Sequence, residues 1–230
     1  MIKYFFLITS CIALLTACSG YRAPTAVELH GQRGALKPGG NYIIKRGDTL
    51  FGIAWRYGLD MDELARWNNI TDKNHILAGT VLRTSPPIGI ERETVIAPSV
   101  SQSGLNGWIW PTRGNVTQSF SPTQPGKQGI RINGVRGQNI RAASDGEVAY
   151  TGTGLSGFGR MVIIRHKDRI LSAYGYLDKV HVSEGQKIQR GQPLGTMGIG
   201  PRNTPMLHFE TRKQGKPVNP YAYIGTTPRY

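Results

Sequence analysis

The sequence predicts two domains joined by a linker: a small β-α-α-β module first, then a β-rich domain built on an antiparallel sheet. Three observations carry this. Apolar spacing of helical period is confined to the stretch from Leu50 to Trp67. After Trp108 the pattern turns to alternation, in Val162, Ile164 and then Ile170 to Tyr176, with turns such as Asp145-Gly146 between short apolar runs. Between the two, Ser85-Pro86-Pro87 to Asn106-Gly107 holds Pro98 and a Ser-rich run and has too little hydrophobic content to fold. A content of 30 glycines and 14 prolines fits a turn-rich, strand-heavy chain.

The N-terminus reads as an export and anchoring signal. Lys3 forms a short n-region, and the apolar run from Tyr4 to Leu15 is too short to span a bilayer as a stable helix. Leu15-Thr16-Ala17-Cys18 has the pattern of a lipobox, so Cys18 is expected to be diacylated on its thiol and freed as the new N-terminus. Two or three acyl chains give an anchoring that one chain cannot. Ser19 follows, and bacterial lipoproteins without an aspartate there generally go to the outer membrane, which implies its periplasmic face. Cys11 leaves with the signal and Cys18 carries lipid, so no disulfide is expected and stability must come from packing. Ser19 to Gly40 lacks apolar periodicity and reads as a tether. The expected organisation is therefore signal 1–17, tether 18–40, first module 41–85, linker 86–107 and second domain 108–225.

The formal charge of +14 is spread along the chain without a basic run. It favours anionic partners through long-range steering: peptidoglycan carboxylates, anionic lipid and acidic protein surfaces. Secretion and the absence of a nucleic-acid motif exclude nucleic acid as a partner.

In the first module, Tyr42-Ile43-Ile44 is a short β-type run, and Asp48 or Thr49 can cap the helix that follows. Leu50, Ile53, Ala54 and Tyr57 fall on one helical face, Gly58 can supply a left-handed cap, and Asp60-Met61-Asp62-Glu63 can start a second helix carrying Leu64, Ala65 and Trp67. Gly79 to Leu82 reads as a closing strand. This order, with Tyr42 through Leu50, Ile53-Ala54, Tyr57, Leu64, Trp67-Asn68 and Gly79, resembles a LysM domain. The resemblance implies binding of N-acetylglucosamine-containing glycan strands between two loops, Gly47, Asp48, Thr49 and Leu50 on one side and Ile76, Leu77, Ala78 and Gly79 on the other. A plainer role stays open for Asp48, Thr49 and Asn68, which can serve only to cap and close helices.

In the second domain, Trp110-Pro111, Gly129-Ile130, Ala143 to Val148, Gly185 to Ile188, Leu207-His208-Phe209-Glu210 and Val218-Asn219-Pro220 resemble the lysostaphin or LytM-type zinc endopeptidases. Active members of that family hold zinc with a His, an Asp four residues later and the second His of a His-x-His pair. Carried onto this sequence, those positions are Lys127, Arg131 and His208, with Met206 and Tyr176 where assisting histidines would stand. Only His208 survives, whereas a catalytic zinc needs about three donor ligands and an open position. Arginine cannot lose its proton to become one. His166 and His181 read as ordinary surface or packing histidines. The sequence thus implies no catalytic residues, no metal and no cofactor.

A degenerate domain of this kind behind a LysM module on a lipoprotein resembles the NlpD and EnvC class of cell-wall hydrolase activators. The resemblance implies a partner, a zinc-dependent N-acetylmuramoyl-L-alanine amidase, bound in a groove lined by Lys127, Arg131, Tyr174, Tyr176, Met206 and His208. Two alternatives belong to other classes: a weak peptidoglycan endopeptidase, and a structural tether between outer membrane and wall.

Overall fold

The computed structural model describes residues 39–89, 107–155, 157–228 and 230. The expected signal, Cys18, nearly all of the tether and most of the linker lie outside them. Among the described residues no helix is long and apolar enough to cross a membrane.

The first module is β1 (Asn41–Ile43), α1 (Leu50–Tyr57), α2 (Met61–Trp67) and β2 (Val81–Arg83). Strands β1 and β2 pair antiparallel with Tyr42 opposite Leu82. Thr49 caps α1, its side chain accepting from Gly52 N at 3.0 Å, and Gly58 ends it with φ 61°. Asp60 caps α2 by accepting from the amides of Asp62 and Glu63. Asn68, at the end of α2, bonds both Leu64 O and the backbone of Arg83, which ties the helix to β2. The expected helical face is the one buried: Leu50, Ile53 and Ala54 meet Leu59, Leu64 and Leu82 in a core of the module's own.

The second domain is an antiparallel sheet. Its strands are β3 (Val116–Gln118), β4 (Ile130–Asn133), β5 (Asn139–Arg141), β6 (Gly146–Gly152), β7 (Arg160–Arg165), β8 (Ile170–Val180), β9 (Lys187–Ile188), β10 (Pro193–Met197), β11 (Met206–Lys213) and β12 (Lys216–Val218), followed by the short helix α3 (Tyr221–Ile224). The main path runs β3-β4-β11-β8-β7-β6-β9; β10 joins β5 to β8, and β12 extends from β11. Alternation sorts each central strand. Ile130, Ile132, Tyr174, Leu207 and Phe209 point into the main core. Arg131, His208, Glu210 and Arg212 occupy the intervening positions and face the other way.

Part of that second face, at the Arg212 end, is covered by the first module. Trp55 of α1 packs with Met161, Ile163 and Ala173, and with Leu155 from the β6–β7 connection. Phe51 stacks on Tyr150 at 6.0 Å between ring centroids. Each module therefore buries its own core, and the two share a third apolar cluster that the linker composition gave no reason to expect.

Candidate functional site

Arg131 on β4 and His208 on β11 are directly opposed across the ladder, and Gly175 of β8 is opposite His208 on its other side. Directly paired residues share a face, so the Arg131 and His208 side chains project side by side. Gly129 leaves the space that the imidazole uses: a Cβ there would lie 2.9 Å from His208 Cε1 and 2.5 Å from Phe209 O. Tyr176 sits where β8 bulges away from β7, at φ 62°, and its ring is 6.3 Å from the imidazole. Met206 reaches the same end, both it and Tyr176 closing on Gly200. Phe158 lies 4.8 Å from the imidazole.

His208 is fixed from behind. Its Nε2 lies 3.0 Å from Glu210 Oε2, and Arg212 Nε donates to Glu210 Oε1 at 2.6 Å. Burial works to raise the Glu210 pKa, but the Arg212 charge and the His208 hydrogen bond outweigh it and hold the carboxyl below its usual range. An ionised carboxylate accepts only, so His208 carries a proton on Nε2. Nδ1 is buried without a hydrogen-bond partner, as are Arg131 Nε and Asn133 Oδ1 nearby. Trp110 Nε1 and Tyr223 OH, in the apolar clusters of the same domain, are likewise buried without a protein partner, so what sets this cluster apart is the gathering of Arg131, Asn133 and His208 on adjacent paired strands.

These residues do not fit zinc. Lys127 and Arg131 stand as cations where two ligands would be, and the one imidazole is tied through Nε2 to a carboxylate already paired with Arg212. Among the described residues no three His, Cys, Asp or Glu side chains gather into a set able to hold a metal ion.

Two corrections concern the expected groove and glycan loops. Tyr174 lies on the opposite face, because it is one residue out of phase with the position opposite His208; it is fully buried, and its hydroxyl accepts from Ala143 N at 2.8 Å. Burial pushes its pKa up to about 12. Leu50 is fully buried in the first module's core, as its place on the apolar face of α1 requires. Lys127 is exposed, on the turn before β4.

Of the other glycan-loop residues, Asp48 accepts from Tyr42 OH at 2.6 Å and from Lys45 N at 2.9 Å, and pairs with Arg56 at 2.5 Å. Burial opposes its ionisation, yet those three donors prevail and lower its pKa. Its carboxylate thus fastens β1 to α1. Thr49 spends its hydroxyl on the helix cap, and Ile76 is half-buried against the core. Gly47, Leu77, Ala78 and Gly79 stand exposed, the two loops drawn together where Gly79 N donates to Ile44 O at 2.8 Å.

His166 bonds Asp145 O and Ser172 Oγ, away from the groove, and His181 is exposed. Sequence reasoning missed Phe158, Trp55, and the roles of Glu210 and Arg212. The signal for the last two was present: counting in twos from His208 puts both on its face. Nothing in the sequence pointed to Trp55 or Phe158.

Residues 42–85 match the model of the LysM domain, and residues 125–220 match that of peptidase family M23. A protein of Pseudomonas aeruginosa described as a lipoprotein NlpD/LppB homolog is 32% identical, over 92% of this chain and 88% of its own. The murein hydrolase activator NlpD of Escherichia coli is 30% identical, over 81% of this chain and 68% of its own. The outer membrane antigenic lipoprotein B of Haemophilus influenzae is 31% identical over 84% of this chain, which spans 65% of that relative's length.

Proposed function

The chain belongs to the NlpD/LppB family of LysM- and M23-domain lipoproteins, and on that premise we propose that it is a non-catalytic activator of cell-wall hydrolysis. It is held in the outer membrane by lipid on Cys18, on the periplasmic face. The LysM loops grip peptidoglycan glycan strands. The groove of Lys127, Arg131, Tyr176, Met206 and His208 binds a zinc-dependent N-acetylmuramoyl-L-alanine amidase, which performs the cleavage that separates daughter cells. The observation that carries this reading is the chemistry at the positions the resemblance assigns to metal: Arg131 stands opposite a buried imidazole whose Nε2 is committed to Glu210, and Lys127 is exposed on the turn before that strand. Such a surface repels a dication and attracts a carboxylate-bearing helix or peptide.

Activation then needs no chemistry from this chain. An amidase that opens and closes is shifted toward the open form by whatever binds that form better, and the gain is limited by the difference in affinity. Dye release from labelled sacculi tests the reading, run with this protein alone, an amidase alone and both together. Release in the mixture well above the amidase alone is the expected result. Release by this protein alone would instead establish the endopeptidase, and no gain with any zinc amidase of the same cell would leave the tether.

A further inference from the structure

Two routes lead from helix α1 of the LysM module to the imidazole of His208. One is polar. The Trp55 carbonyl accepts from Arg212 Nη1 at 2.6 Å, and the guanidinium sits 3.4 Å from the Trp55 ring centroid. Arg212 holds Glu210, and Glu210 holds His208. The other route is apolar. Leu155 packs with Phe51 and Trp55 of α1, and a Cβ at Gly52 would lie 3.7 Å from its Cδ2. Three positions on, Phe158 covers His208 and accepts from Tyr176 N at 2.7 Å, while Gly157 O accepts from Tyr176 OH at 3.0 Å.

Both routes end on a groove that is shut. His208 is 2%, Met206 7% and Tyr176 8% exposed, although these side chains would have to touch a bound partner. Phe158 is the protein's own occupant of that space. It is bracketed by Gly157 at φ 91° and Gly159 at φ 60°, left-handed conformations that glycine adopts without strain, so its inward position depends on a loop tied to Tyr176 by the hydrogen bonds at Phe158 O and Gly157 O and not on strand pairing. The docking of α1 is a contact between modules and not part of either module's own core. It leaves a half-open pocket of about 140 Å³ between residues that include Leu59, Leu171 and Arg212, and contacts between modules of one chain are more readily separated than a single core.

We propose that the LysM module is a latch on the groove. Docked, it holds Leu155 and Arg212, and through them keeps Phe158 over His208. Undocked, it releases both routes, and Phe158 turns outward to admit the partner. The coupling of α1 to Phe158 stands on the contacts alone; that opening raises stimulation rests on the groove being the amidase-binding surface.

The test uses the full chain in detergent micelles with Phe51→Ala, which removes the stacking on Tyr150, and Trp55→Lys, which sets a second cation against Arg212. Amide hydrogen exchange is read at Tyr176, with Ile163 in the middle of the sheet as reference. The latch expects exchange at Tyr176 at least tenfold faster in either variant with Ile163 unchanged, and half-maximal amidase stimulation at several-fold lower concentration. Unchanged exchange at Tyr176 in both variants overturns it, as does an equal rise at Ile163, which would be loss of the whole fold. Faster exchange without a gain in stimulation, in a chain whose stimulation Arg131→Glu abolishes, overturns the inhibitory role of closure. Faster exchange in a chain that Arg131→Glu leaves fully stimulating keeps the coupling and removes the groove reading instead.

Discussion

The two faces of the central sheet are made by alternate residues of the same three strands and obey different rules. On the core side of β4, β8 and β11, polar groups are paired: Tyr174 OH with Ala143 N and Ser172 Oγ, and Thr211 Oγ1 with Val218 O. On the other side Arg131 Nε, Asn133 Oδ1 and His208 Nδ1 are buried without partners, beside a buried His–Glu–Arg row. Tyr176, Arg202 and Asn203, near the same end, hold left-handed backbone without being glycine. Strain and unmet hydrogen bonds persist only where the surroundings impose them. Unpartnered atoms also occur at Trp110 Nε1 and Tyr223 OH, and left-handed residues at Asp168, Arg169 and Gln214; what distinguishes the second face is that such features gather there beside a buried charged row.

If that division is real, the largest loss of stability belongs to the core face. Phe209 is fully buried against Tyr174 at 5.4 Å between centroids. Phe209→Ala should cost about 3–5 kcal/mol, from lost transfer energy and the cavity left behind. Urea unfolding followed by tryptophan fluorescence measures it, and a loss under about 1 kcal/mol would mean the core lies elsewhere.

The buried row on the groove face should come next. Glu210→Gln leaves Arg212 charged and uncompensated and should cost about 3 kcal/mol, whereas replacing both, Glu210→Leu with Arg212→Met, should recover more than half of that. Such a recovery would show that the pair sets position more than it adds stability. The Glu210 pKa is lowered in the fold, so its contribution is present above the carboxyl's unfolded pKa and is lost as pH falls through the folded one.

How far this was legible from sequence follows from what alternation can and cannot reveal. The LysM elements were visible because their signals are local: the apolar face of α1, the Thr49 cap and Gly58 each act within a turn of helix. Arg131 and His208, which the structure pairs across the ladder, could each be placed from a neighbouring motif. Tyr174 was misassigned since a bulge near Tyr176 shifts the phase of β8, and a bulge leaves no mark in the hydrophobic pattern. Leu50 was misassigned because a loop position and a helix N-terminus share it. The contact of Trp55 with Arg212 joins residues far apart in the chain, and no local period encodes such a pair.

The core face carries a titratable group of its own, which separates the two faces by pH. His166 is held between Asp145 O and Ser172 Oγ against Trp108, and burial lowers its pKa to about 4, with the Asp145 contacts opposing. The fold therefore resists a proton that the unfolded chain takes up below about 6.5. Stability should fall as pH drops from about 6.5 to 4, by on the order of 2 kcal/mol, and His166→Gln should flatten that slope. Glu210 acts only at the acid end of that range, so a slope between pH 6.5 and 5 that survives His166→Gln would assign the titration elsewhere.

The smallest expected effect on stability should accompany the largest on function. Arg131 is half-exposed with Nε unsatisfied, so the fold gains little from it, and Arg131→Glu should change stability by no more than about 0.5 kcal/mol. At an interface the same change inverts a charge that a partner carboxylate would meet. That can cost on the order of 2 kcal/mol or more, enough to lower occupancy by well over tenfold below the dissociation constant. Release from labelled sacculi by an amidase mixed with Arg131→Glu should fall to the level of the amidase alone, while binding of the variant to sacculi is unchanged, because Gly47 and Leu77 to Gly79 are untouched. Stimulation that persists in a stable Arg131→Glu variant would show that the unsatisfied face is a relic of a lost metal site and that the partner docks elsewhere.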